Sequence, residues 1–234
     1  MMKDLQKMGG IAALYEAAAY VLGIVFFIFL VDYSGDVDPA QKVALLMDNQ
    51  VNMYIMNLVI YVIFGVVLVV LALALYDRLK VGSPAVMQTA TAFGLIWAGV
   101  VIASGMIFNI GMGVVVDLYG TDPDQAATVW LAIDSVVDGI GGGVEILGGL
   151  WVLLVSWAAL RAGGLPRVLN YLGVVIGLAG ILTVVPALGE LGGVVFGLGQ
   201  IVWFVWLGIV MLRSGPSPAA EKPDAIEPRL RTTT

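Results

Sequence analysis

Three carboxylates hold the sequence's clearest chemistry. Asp134, Asp138 and Glu145 fall within residues 128–151, TVWLAIDSVVDGIGGGVEILGGLW, an otherwise apolar stretch. Read as one helix at about 100° per residue, Asp138 stands about 40° round from Asp134, and Glu145 falls between them at about 20°. The acids therefore share one narrow stripe, with no Lys, Arg or His expected nearby to neutralise them. Gly139, Gly141, Gly142 and Gly143 thin the same helix, so that another backbone can come close. Carboxylate oxygens so placed replace part of a cation's hydration shell or carry a proton. Asn57 and Asn109, in other apolar stretches, are candidate supporting groups. With Asn52 and Ser104 they also suit hydrogen bonds between helices. Nothing in this pattern specifies a metal.

The elements that must position these acids follow from composition. Hydrophobic residues make up 60% of the 234 and charged residues 12%, well outside the soluble range. An integral membrane protein is expected, in which each span needs about 20 apolar residues. Strands of alternating polarity are absent, which excludes a β-barrel. The expected fold is all-α, a polytopic bundle of six transmembrane helices over about residues 9–31, 51–76, 85–116, 125–160, 166–186 and 190–212. Residues 214–234, rich in Pro, Ala and charge, are expected to form a disordered cytoplasmic tail.

Within this plan, residues 32–50 read as an outer loop with a short helix opening at Pro39 after Asp38. The third span exceeds what a bilayer needs, so it tilts, projects, or breaks near Gly111 and Gly113. Asp122 caps the fourth helix, and GGLP after Arg161 stops it. Gly173 and Gly177, and Gly189, Gly193 and Gly197, form small-residue ridges on the last two spans. Glu16, two turns into the first span, is expected to snorkel to the inner headgroups.

Orientation follows from charge. With six spans, Lys3, Lys7, Arg78, Lys80, Arg161, Arg167, Arg213, Lys222, Arg229 and Arg231 share one side, and Lys42 stands alone on the other. The positive-inside rule places both termini in the cytoplasm. Counting about 20 residues outward from Trp157 puts the outer edge of the hydrocarbon near Asp138 and leaves Glu145 the deepest acid.

Residues 161–186, RAGGLPRVLNYLGVVIGLAGILTVVP, carry a basic residue, a Leu-Pro-Arg turn and a Gly-rich helix. This stretch, with the start GGIAALYEAAAYVLGI and the end GLGQIVWFVWLGIVML, resembles the DUF4386 family of small bacterial membrane proteins. The resemblance covers most of the chain and implies a multi-pass protein of the bacterial cytoplasmic membrane; it implies no settled activity. Many relatives have His in the fourth helix, where this chain has Val137 and Trp151 and no His anywhere, so a role for those His does not transfer.

Enzymatic readings mostly fail. Without His or Cys there is no Ser-His or Cys-His nucleophile, no thiolate metal site and no His-held haem. The spacing of Asp134 and Asp138 differs from the acidic motif of phosphatidyl-alcohol transferases and lacks its Arg. Intramembrane aspartyl proteases need their two Asp on different helices. No cofactor is expected. Two readings stay open: a transport or permeation protein whose acidic stripe binds or passes a small cation or proton, and a non-catalytic accessory protein that binds other membrane proteins or its own copies. Its surroundings are the lipid bilayer, and the sparse basic residues argue against nucleic acid.

Overall fold

The computed structural model describes residues 2–31, 38–142 and 145–213; the expected tail at 214–234 lies outside them. Helix α1, Met2–Ile24, runs on through a π-helical stretch, Val25–Leu30. After α2, Pro39–Asp48, a single rod is built from α3, Gln50–Asn57, a π-helical stretch, Leu58–Ile63, and α4, Phe64–Leu79. Helix α5 is Pro84–Tyr119 and α6 is Pro123–Val137, followed by a π-helical turn, Asp138–Gly142. Then come α7, Ile146–Ala162, α8, Arg167–Leu182, a short 3-10 turn, Pro186–Leu188, and α9, Gly189–Arg213. The described residues contain no strand.

Local signals set the helix boundaries. Pro stands in the first turn of α2, α5 and α6, where its missing N–H costs nothing. The Asp122 carboxylate accepts the Gln125 N–H at 3.0 Å, which caps α6 as expected. Asp38 holds the corresponding position before α2 but makes no side-chain cap bond. At the end of α7, Gly163 and Gly164 adopt φ of 75° and 90°, a left-handed turn that L residues with a Cβ resist. The buried Arg78 guanidinium donates two hydrogen bonds to the Gly164 carbonyl, at 3.0 and 2.8 Å. The basic α4–α5 and α7–α8 turns are thereby fastened together at one end of the bundle.

The long helices form a closed ring in chain order: α1 packs on α4, α4 on α5, α5 on α7, α7 on α8, α8 on α9, and α9 back on α1. Neighbours run antiparallel. Gly10 meets Leu212 while Gly208 meets Leu14, and Gly65 meets Ile102 while Gly94 meets Ala72. Close approach is sharpest between α7 and α8, where a Cβ on Gly149 would stand 2.7 Å from the Gly177 carbonyl oxygen. Of the expected ridges, Gly173 and Gly177 pack as proposed. On α9, by contrast, Gly193 and Gly197 meet nothing within 4 Å, and the packed positions are Gly192, Gly199 and Gly208.

Inside the ring, Tyr20, Phe64, Trp97, Trp151, Trp203 and Phe204 touch in a closed circuit with centroids 5.5 to 6.3 Å apart. A second core joins α2, α3, the C-terminal half of α5 and α6, with Val43, Leu46, Met53, Val115 and Trp130 fully or almost fully buried. Phe108 and Trp130 meet edge-on there at 5.0 Å. This core explains the length of α5. At 36 residues and about 1.5 Å per residue it runs about 54 Å unbroken, longer than a bilayer core of about 30 Å, and it packs against α2.

Five helices are long and apolar enough to cross a membrane: Asp4–Leu30, Gln50–Leu79, Pro84–Tyr119, Pro123–Ala162 and Pro186–Arg213. This is the build of a multi-pass membrane protein. The apolar helix α8 is shorter, at 16 residues.

Two expectations are corrected. The fourth helix is not one straight rod, because its regular α-helix ends at Val137 and restarts at Ile146, with Gly141 in extended backbone. Four glycines in five residues leave the intervening backbone free to depart from helical geometry. Glu16 does not snorkel. It is wholly buried, and among the described residues neither of its carboxylate oxygens has a hydrogen-bond partner. Gly9, Gly10 and Gly208 let α4 and α9 close on α1 from both sides, which encloses position 16.

Candidate functional site

The three acids lie on either side of the helix break. Asp134 is on α6, Asp138 opens the π-helical turn, and Glu145 stands at the N-cap position of α7 with φ −91° and ψ 21°. The regular 100° repeat of one helix therefore does not connect them, and the single stripe expected from the sequence is not formed that way. Of the three, Glu145 shares a cavity lining with Tyr61 of the second long helix and Tyr20 of α1.

The position of Glu145 is set by its backbone. Its N–H donates to Thr183 Oγ1 at 2.9 Å, and the Thr183 hydroxyl donates to the Gly180 carbonyl at 2.7 Å. Its own carbonyl accepts the Gly149 N–H at 2.8 Å and starts α7. The end of α8 thus holds the restarting helix. Among the described residues the Glu145 carboxylate has no hydrogen bond and no ion pair.

That carboxylate lines a cavity of about 230 Å³. Tyr20, Gly23 and Phe27 supply the α1 wall, Tyr61 and Phe64 the second, Trp97 and Val101 of α5 the third, and Gly141 with Glu145 the last. The break creates the site. A continuous α-helix through 138–146 would keep its backbone N–H groups paired within the helix, whereas here Gly141 lies against Ser104 and Val100 of α5 and Glu145 is turned to the cavity.

The other two acids sit in a different setting. Asp134 pairs with Lys42 of α2 at 3.6 Å, its side chain 18% exposed, so the sequence-based view that no cation lies near the acids is overturned. Lys42 is 92 residues away in the chain and arrives because α2 packs against α5 and α6. Asp138 is exposed and lies between this pair and the cavity-lining turn.

The candidate supporting residues separate. The Asn109 amide donates to the Tyr54 carbonyl at 3.3 Å, a bond between α5 and α3. Asn57 is buried, and neither end of its amide has a hydrogen-bond partner among the described residues. Ser104 bonds back to Val100 of its own helix at 2.9 Å, and Asn52 is exposed. No group of three or more His, Cys, Asp or Glu among the described residues is assembled to hold a metal ion. Tyr20, Tyr61, Trp97, Thr183 and Lys42 carry no motif; one signal points to Lys42, its expected place as the single basic residue on its side of a six-span bundle.

No curated protein and no solved structure matches the chain. The family model described as "Domain of unknown function (DUF4386)" matches residues 11–210, in keeping with the Gly-rich helix and Leu-Pro-Arg turn seen here as α8 and the turn before it. The chain belongs to the DUF4386 family.

Proposed function

We propose that this protein binds, and passes, a small cation or proton through carboxylates at the break in its fourth long helix, in a bacterial cytoplasmic membrane. The observation that carries this reading is the Glu145 carboxylate, unpaired among the described residues and facing a cavity walled by three other helices. A carboxylate at such depth is costly and marks a site of use. Asp138 and Asp134 form the outer approach, and Lys42 holds the outermost acid until a competing cation arrives. Six crossings with both termini cytoplasmic fit this reading. Support comes from the closed antiparallel ring, in which α8 must run opposite to α7 and α9, and from the shared end of the two basic turns.

The test is flux. Purified protein in liposomes should dissipate an imposed proton or cation gradient faster than empty vesicles, and Glu145→Gln should abolish the excess. Equal rates in wild type and empty vesicles would reject the reading. One observation favours the accessory alternative: a Cβ at Gly193 or Gly197, four residues apart on α9, would meet nothing within 4 Å among the described residues. That alternative expects no flux, and expects Gly193→Leu to separate the protein from a membrane partner while leaving its stability unchanged.

A further inference from the structure

We infer that the cavity beside Glu145 takes a small organic ammonium ion, a cation that carries its own apolar coat. This rests on the reading of Glu145 as a cation-binding carboxylate and names the class of cation. The wall chemistry decides between classes. A hard inorganic cation exchanges its water for six or more oxygens. Here one carboxylate faces a wall made mainly of hydrocarbon and rings: Tyr20, Phe27, Tyr61, Phe64 and Trp97. Such a wall cannot replace a hydration shell.

It suits the opposite kind of ion. Aromatic rings attract a cation through their quadrupole, and the attraction strengthens where water is excluded. An alkylammonium loses little hydration on entering, buries its methylene groups against Ala19, Gly23 and Val101, and sets its charge against the carboxylate. Size fits as well. At about 30 Å³ per water-sized group, 230 Å³ holds about eight such groups, the bulk of tetraethylammonium and less than that of a large drug. The rings are also held in place. Tyr20 packs edge-on against Phe64 at 5.7 Å and Phe64 against Trp97 at 5.9 Å, so the wall is formed before the ligand arrives.

The experiment uses the full chain in detergent micelles. Calorimetric titration and thermal shift are recorded with tetraethylammonium, with sodium and calcium at matched ionic strength, and with the neutral isostere 3,3-diethylpentane. Saturable binding of tetraethylammonium is expected, with weak or absent response to the other three. Glu145→Gln should weaken it at least tenfold. Phe27→Leu, which removes one ring and keeps the site apolar, should weaken it roughly three- to tenfold, and Tyr61→Phe, which keeps the ring, should leave it near wild type. If sodium, calcium or protons shift stability through Glu145 while tetraethylammonium does not, the organic class is overturned and the cation-binding carboxylate stands. If the neutral isostere binds as well as the cation and Glu145→Gln changes nothing, both readings fall.

Discussion

At the scale of single residues, two acids of opposite standing deserve comparison. Glu16 is wholly buried, with both oxygens unpartnered among the described residues, on a helix whose Ala12, Ala13, Ala17 and Ala19 belong to the apolar core. An unsatisfied polar group in such a place opposes folding, and an apolar replacement of similar volume removes the penalty. Glu16→Met should therefore raise the melting temperature in detergent, by the equivalent of about 1 to 3 kcal/mol. A fall would mean that Glu16 has a partner in the working protein. Asp134 and Lys42, by contrast, form a partly exposed pair at 3.6 Å, the kind that contributes little to stability. Lys42→Met should change stability by no more than about 1 kcal/mol. It should nonetheless strengthen cation binding severalfold, because the competing charge is gone; unchanged affinity would place the pair outside the approach. Both environments escape a reading of the sequence. The depth of position 16 was inferred from its distance to the helix start, while its enclosure depends on α9, nearly two hundred residues later.

At the scale of elements, the fourth long helix matters most, because its interruption is what turns Glu145 to the cavity. The restart is held by Thr183, whose hydroxyl both accepts from Glu145 and donates to Gly180. Thr183→Val removes that link, should cost about 1 to 3 kcal/mol, and should weaken cation binding, while Thr183→Ser should restore both. Stability of the three proteins and titration of the same ligand check it. Helix packing gives a sharper contrast. Gly149→Leu drives a side chain into the α8 backbone and should cost at least about 3 kcal/mol, whereas Gly193→Leu, on an open face, should stay within about 0.5 kcal/mol. The segments themselves were legible in advance, since apolar runs, Pro at helix starts, the Asp122 cap and the GGLP stop are local signals. The break was not read. Four clustered glycines are compatible both with close packing and with departure from the helix, and the choice is made by Ser104 and Val100 on another helix, which receive Gly141. The cavity was invisible for the same reason: its rings come from three separate helices and share no spacing.

For the molecule as a whole, the ring of antiparallel helices and the segregation of basic turns make one proposal about threading. Thr121→Cys lies in the α5–α6 turn, at the end with α2; Val81→Cys lies in the α4–α5 turn, at the end fastened by Arg78, and both positions are exposed. In intact cells an impermeant thiol reagent should label Thr121→Cys and spare Val81→Cys until the membrane is opened. The reverse pattern would invert the protein. The native chain has no cysteine, so the background is zero.

The aromatic circuit through the middle of that ring also makes the protein its own optical probe. Three indoles, Trp97, Trp151 and Trp203, stand in series at 5.7 and 5.8 Å, each contributed by a different helix. Chromophores so near and so fixed couple their transitions, and the resulting near-ultraviolet dichroism exists only while the side chains keep their mutual orientation. Far-ultraviolet dichroism, in contrast, reports helices whether or not they are assembled. A bundle that loosened while its helices survived would keep the second signal and lose the first. Ring closure can thus be followed by light absorption alone, with no label added.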